Sequence, residues 1–238
     1  MQRLLIAAVC FVVAPMASAS EVFMFSDPSG LGAEAEFTLL DGGMTLEIRF
    51  RNTSTGLPDG FESADQILTG LSWDFGTPGS NGEAEITGGV VMTGPDSMSI
   101  NFDVIDVGPN ESVSGEWGFG NEGGSGALTN FLSAHGAQAT PFGGDNLDGP
   151  ENLDGPQGGL IGDPILLDLG GLGAIQDEVI ATLTLSEAID DLGFLSDNPV
   201  RVEFGSDAFF ITIPEPASFG LMVVGSLAVI YRGRRRCS

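Results

Sequence analysis

Ala33-Glu-Ala-Glu-Phe-Thr-Leu-Leu-Asp-Gly-Gly-Met-Thr-Leu-Glu-Ile-Arg-Phe-Arg51 decides the fold class. Ala33, Ala35, Phe37 and Leu39 alternate with polar residues. Asp41-Gly42-Gly43 carries the turn signal, and Met44, Leu46, Ile48 and Phe50 then alternate with Thr45, Glu47, Arg49 and Arg51. A period of two places successive side chains on opposite faces of a strand. The stretch therefore reads as an antiparallel hairpin with one apolar and one charged face, as in a sheet packed on one side. Arg49 and Arg51 are expected to pair with Glu34 and Glu36 across the ribbon.

The same period recurs on both sides of the hairpin. Residues 67–75 form an expected strand that turns Leu71, Trp73 and Phe75 inward. Residues 83–93 and 97–107 are expected to pair, with Met98, Ile100, Phe102 and Val104 on one face. A strand over 113–119 carries Trp117, and late strands fall at 179–185, 200–204 and 209–213. Trp73 and Trp117 alternate with polar neighbours, which makes them core residues rather than sugar-stacking platforms. Roughly nine or ten strands with frequent turns predict an all-β domain, an antiparallel β-sandwich. Residues 120–173 break the pattern. They are glycine-rich, with one or two helical turns expected over 127–134 and a short duplication, Asn146-Leu-Asp-Gly-Pro150 and Asn152-Leu-Asp-Gly-Pro156. A loop of that length in a compact domain is functional or disordered.

Composition narrows the function. Glycine is 36 of 238 residues, about double the usual 7%, which suits tight turns. Cys10 and Cys237 lie in the two end segments, so the body between them has no disulfide and no thiol chemistry. The chain has no lysine, and residues 20–215 hold three arginines against 33 acids, a balance of −30. Such a surface repels nucleic acid and attracts cations.

The two ends read as addresses. Residues 1–19 have the form of a secretory signal: Arg3, an apolar core over 4–14, Pro15, and small residues at Ala17 and Ala19, with cleavage after Ala19 by signal peptidase. Cys10 lies inside the apolar core after Val9, which argues against a lipoprotein. At the other end, Pro214-Glu215-Pro216 precedes an uncharged run over 217–231 and the cluster Arg232, Arg234, Arg235 and Arg236. The run can satisfy its backbone as a single transmembrane helix. It reaches about 22 Å, which snorkelling arginines extend. The arginines fix that end in the cytoplasm, and the prolines keep the motif extended at the outer interface.

This tail resembles the PEP-CTERM sorting signal of Gram-negative bacteria, read by the membrane protease-transpeptidase exosortase. Within the body, Thr45-Leu-Glu-Ile-Arg-Phe-Arg-Asn-Thr53, Leu68-Thr-Gly-Leu-Ser-Trp-Asp-Phe75, Gly115-Glu-Trp-Gly-Phe119 and Asn152-Leu-Asp-Gly-Pro-Gln-Gly-Gly-Leu160 resemble exosortase-dependent surface proteins. The resemblance implies export, an inner-membrane intermediate, and delivery to the cell surface or extracellular matrix. It carries no catalytic residues over. The expected organisation is a signal peptide at 1–19, an all-β domain at 20–212 and a sorting signal at 213–238.

The candidate chemistry is thin. His135 is the single histidine, with no cysteine partner, and no Gly-x-Ser-x-Gly elbow accompanies it. Carboxylate pairs at spacing two share a strand's solvent face and do not oppose one another across a cleft. Asp145, Asp148 and Asp154 offer hard oxygen ligands for calcium in the acidic loop, at a spacing unlike an EF-hand. The expectation is a non-enzymatic surface or matrix protein, structural or associated with exopolysaccharide. A calcium-dependent carbohydrate-binding module is the alternative, and a secreted hydrolase comes after it.

Overall fold

A computed structural model describes residues 19–57, 63–76, 84–102, 104–125, 128–136, 138–144, 147, 156–163, 165, 169, 171–206 and 209–213. The hairpin forms where alternation placed it, from β2 (Gly32–Leu40) and β3 (Thr45–Asn52), in register from Ala33 opposite Asn52 to Leu40 opposite Thr45. Phe37, Leu46, Ile48 and Phe50 are buried on its inner face. Asp41, Gly42 and Gly43 all take left-handed backbone at the turn, with φ of 51°, 68° and 89°. β1 (Ser20–Ser26) pairs with the free edge of β2. β12 (Glu178–Leu185) pairs with β3, and β5 (Ile86–Thr93) with β12. These five strands make one antiparallel sheet in the order β1-β2-β3-β12-β5.

The second sheet is built around β4 (Leu68–Trp73), all six residues of which are buried. Leu71 pairs with Val202 of β13 (Val200–Phe204) on one edge and with Leu132 of β8 (Asn130–Ser133) on the other. Further out lie β14 (Phe209–Ile213) beside β13, and β7 (Gly118–Gly120) and β9 (Thr140–Pro141) beyond β8. β10 (Leu160–Ile161) joins β4 to β11 (Ala174–Gln176) and β6 (Ser99–Ile100), making nine strands. Among the described residues every strand pairing is antiparallel except β10 with β11. One short helix, α1 (Gly193–Asp197), packs Phe194 onto Phe75 with ring centroids 5.3 Å apart. The two sheets share a main core, with Phe37 of β2 edge-on to Trp73 at 5.8 Å and Phe50 of β3 edge-on to Trp117 at 6.1 Å, and a small second cluster holds Ile67, Ile161 and Ala174. Both tryptophans are fully buried, as their alternation implied.

The all-β expectation stands, and the described residues depart from it in four places. Residues 130–133, expected in a helical turn, are β8; its four residues are all buried, so the strand has no alternation to reveal it. Residues 120–173 are therefore not one loop, because they supply β8, β9 and β10 around β4. The expected pair 83–93 with 97–107 does not form: β5 joins the first sheet and β6 the second. β6 ends after two residues at Asn101, whose φ is 61°, and Met98 and Val104 stay 45% and 61% exposed. Finally, 113–116 is a turn closed by Glu116 N–H to the Val113 carbonyl at 3.0 Å, and only Gly118–Gly120 is strand. The count is fourteen strands among the described residues, nine of them four residues or longer.

No helix among the described residues is long and apolar enough to cross a membrane. The expected span over 217–231, the motif Pro214, Glu215 and Pro216, the arginines 232, 234, 235 and 236, and Ala17 lie outside the described residues. Ala19 is described and exposed, and its carbonyl accepts the Leu39 N–H at 3.1 Å.

Candidate functional site

Alternation along β13 turns Val200, Val202 and Phe204 into the core and leaves Arg201 and Glu203 on the outer face. Register then sets two rows across three strands. Glu203, Gly70 and Ser133 stand side by side, as do Arg201, Ser72 and Phe131. Gly70 sits mid-strand with Glu203 Cβ 3.4 Å from where its own Cβ would be, so the floor stays low there. Above this floor opens a cleft of about 670 Å³, walled by Phe210 on β14 and by Gly123, Gly124 and Gln138 from the loops beside β7 and β8.

The polar groups around this cleft are held from behind. Ser133 Oγ accepts the His135 N–H at 2.8 Å and lies 3.2 Å from the Thr69 carbonyl, close also to the His135 carbonyl. That contact fixes the chain as it leaves β8 and brings the imidazole over β13. His135 Nε2 lies 3.0 Å from Ser206 Oγ and Nδ1 lies 3.5 Å from Glu203 Oε1. Arg201 lays its guanidinium over the Phe210 ring, Cζ 4.0 Å from the centroid, and its buried Nε has no hydrogen-bond partner among the described residues.

The other two arginines of the body are committed elsewhere. Register does place Glu34 opposite Arg51 and Glu36 opposite Arg49. The guanidinium groups nevertheless turn to the opposite neighbour, β12, contrary to the expected pairs. Arg49 Nη2 and Arg51 Nη2 donate to the two carboxylate oxygens of Glu178 at 2.8 and 2.9 Å. Glu178 is only 3% exposed, so a bidentate arrangement there satisfies a carboxylate that water cannot reach. The hydrogen bond to Glu178 raises the Arg49 pKa above its ordinary value. Arg51 Nε also lies 3.2 Å from Asp177 Oδ1, yet burial pushes the Asp177 carboxyl up, against the pull of Arg51.

The cleft thus combines a guanidinium on an aromatic ring, an imidazole, a carboxylate, hydroxyls and an amide within one open groove. It can pair simultaneously with donors and acceptors spaced along a hydroxylated ligand. None of its residues had been expected as a site. Without a cysteine, a second histidine or a Gly-x-Ser-x-Gly elbow, the sequence offers His135 no role; its partners Glu203 and Ser206 come from 68 and 71 residues further along. The only available signal was the polar parity of Arg201 and Glu203 in a strand otherwise apolar. The expected calcium ligands Asp145, Asp148 and Asp154 lie outside the described residues. Leu147 between them is buried, with its N–H on Glu116 Oε1 at 2.6 Å. Among the described residues no group of three or more His, Cys, Asp and Glu side chains could hold a metal ion.

No protein-family model, curated protein or solved structure matches the chain.

Proposed function

We propose that the chain is an exported surface protein whose all-β domain, an antiparallel β-sandwich, binds extracellular polysaccharide in the cleft over β4, β8 and β13. Residues 1–19 direct secretion, and exosortase sorts the protein at Pro214-Glu215-Pro216 from an inner-membrane intermediate to the cell surface or matrix. Binding in this role requires no catalysis. Its partners are the secretion machinery, exosortase and the polymer.

The observation that carries the binding role is Arg201. The body has three arginines against 33 acids, and Glu178 takes two of them. The third is spread over Phe210 at the cleft, with no ion pair among the described residues. A guanidinium stacked on a ring keeps its in-plane donors free for a ligand's hydroxyl, ring or carboxylate oxygens. Phe210, beneath the guanidinium, and the largely buried Phe131 make the cleft wall partly apolar. Recognition through these groups requires no calcium.

Affinity electrophoresis of the purified protein in gels containing a polyuronate or a neutral glucan tests the reading. Wild-type protein is expected to be retarded by at least one polymer. Arg201→Gln is expected to lose about 10-fold or more in affinity, corresponding to about 1.5 kcal/mol for a charge-assisted hydrogen bond, with an unchanged thermal midpoint. Equal mobility of wild type and variant in every polymer would exclude the cleft as the site.

A further inference from the structure

Ser206, His135 and Glu203 stand in the order of a nucleophile, a base and the group that orients the base. Ser206 Oγ is 3.0 Å from His135 Nε2, and Glu203 Oε1 is 3.5 Å from Nδ1 on the far side of the ring. Such sets are recognised by geometry and not by sequence spacing, and their contacts are commonly longer before a substrate is bound. Each member is placed independently. Ser206 follows Gly205, whose φ of 66° turns the chain at the end of β13. That turn is pinned to the second sheet by Gly205 N–H to the Ile67 carbonyl at 2.7 Å and by Thr69 Oγ1 to the Gly205 carbonyl at 2.7 Å. His135 is pinned by Ser133, as described, and Glu203 by its place on β13. Ser206 is exposed at the edge of the site, whereas His135 and Glu203 line the cleft itself.

We propose that this set hydrolyses acyl esters carried on the hydroxyls of saccharides held in the cleft. The substrate class rests on the polysaccharide-binding reading above. With Nδ1–H turned toward Glu203, Nε2 is left as the acceptor of the Ser206 proton. Ser206 Oγ attacks the acyl carbonyl carbon as Nε2 takes that proton. The tetrahedral adduct collapses, the ester C–O bond breaks, and the imidazolium returns the proton to the departing sugar oxygen. Water then attacks the acyl-serine while Nε2 accepts its proton and hands it to Ser206 Oγ. The products are one free sugar hydroxyl and one carboxylic acid, with water as the only co-reactant and no change of oxidation state. Glu203 acts as a positioning residue: it holds the imidazole in the productive tautomer and stabilises the imidazolium.

Two measurements on the purified full chain test this. A serine-directed fluorophosphonate should label Ser206, located by peptide mass spectrometry, and 4-nitrophenyl acetate should be hydrolysed above the buffer rate. Ser206→Ala should abolish the labelling. Ser206→Ala and His135→Asn should each lower hydrolysis about 100-fold or to background. Glu203→Gln should slow labelling without moving the thermal midpoint, and Glu203→Asp should restore part of it; a merely structural carboxylate would change the midpoint instead. Absence of label on Ser206, with hydrolysis equal in wild type and Ser206→Ala, would overturn the proposal even if polysaccharide binds. Labelling and ester hydrolysis without any polysaccharide retardation would overturn the saccharide substrate class and the binding reading together, leaving the catalytic set in place.

Discussion

Asp177 shows how burial and pairing compete within one residue. It sits between β11 and β12 with φ 71°. Burial raises its pKa most; Arg51 lowers it, and Glu178, Asp163 and Asp96 raise it further. The folded state therefore holds this proton more tightly than the unfolded chain. Stability is lost as pH rises from the ordinary aspartate value, about 3.9, through the raised one, and the deficit is complete above it. Asparagine keeps the shape, tolerates left-handed backbone and carries no charge. Asp177→Asn should thus raise the urea midpoint at pH 7, with the advantage shrinking as pH falls through the raised value and the wild-type carboxyl gains its proton. A lower midpoint for the variant at pH 7 would mean that the Arg51 pair outweighs burial. The neighbouring arginines show what alternation could and could not reveal. It put Arg49 and Arg51 on the correct face opposite Glu36 and Glu34, yet a strand more than a hundred residues away in sequence supplies the partner. His135 and its contacts were hidden for the same reason: side-chain partners across non-local strands depend on sheet order, which a period of two does not encode.

At the level of elements, legibility followed exposure. β2, β3, β12 and β13 each have a core face and a more open face, so their patterns alternate and were read nearly residue by residue. β8 and β10 are buried throughout and only four and two residues long, so neither length nor pattern set them apart from loop. The β2–β3 turn gives a sharper test of local chemistry, because its two glycines are required for different reasons. Gly42 has φ 68° and nothing within 4 Å of a prospective Cβ. Gly42→Ala should cost only the left-handed strain, roughly 1–2 kcal/mol. Gly43 has φ 89°, a Cβ there would run into the Ile189 carbonyl oxygen, and the Gly43 carbonyl accepts the Ile189 N–H at 3.0 Å. Gly43→Ala should therefore cost about 3 kcal/mol or more, strain and overlap together. It should also speed hydrogen exchange at the Ile189 amide. Equal urea midpoints for the two variants would show that the segment after β12 yields freely.

Across the whole molecule, the two-sheet body meets the two proposed end signals at strand boundaries. β1 starts at Ser20, directly after the expected cleavage at Ala19, and β14 ends at Ile213, directly before Pro214. Cleavage at those points removes no strand of the described residues, and costs the one hydrogen bond from the Leu39 N–H to the Ala19 carbonyl. The first and last strands are also in contact with each other, so the body closes on itself. Processing can then release a folded domain rather than dismantle one, and sorting can be perturbed without touching stability. In the proposed sorting signal, Glu215 is the charged member of the Pro214-Glu215-Pro216 sequence, which the apolar run and arginines beyond it are expected to hold at the membrane face. Glu215→Ala should leave export intact, because residues 1–19 are unchanged, and should leave insertion intact, because 217–236 are unchanged. What should fail is release. With an epitope tag placed after Ser238, wild-type protein at the cell surface should lack the tag, whereas Glu215→Ala should accumulate in the inner membrane with the tag attached. Replacing Arg234, Arg235 and Arg236 with serine should fail differently, by weakening stop-transfer and orientation. Wild-type protein recovered from the surface with its tag still present would reduce the C-terminal segment to an anchor and remove exosortase from the list of partners, while the cleft and its chemistry would stand or fall by their own tests.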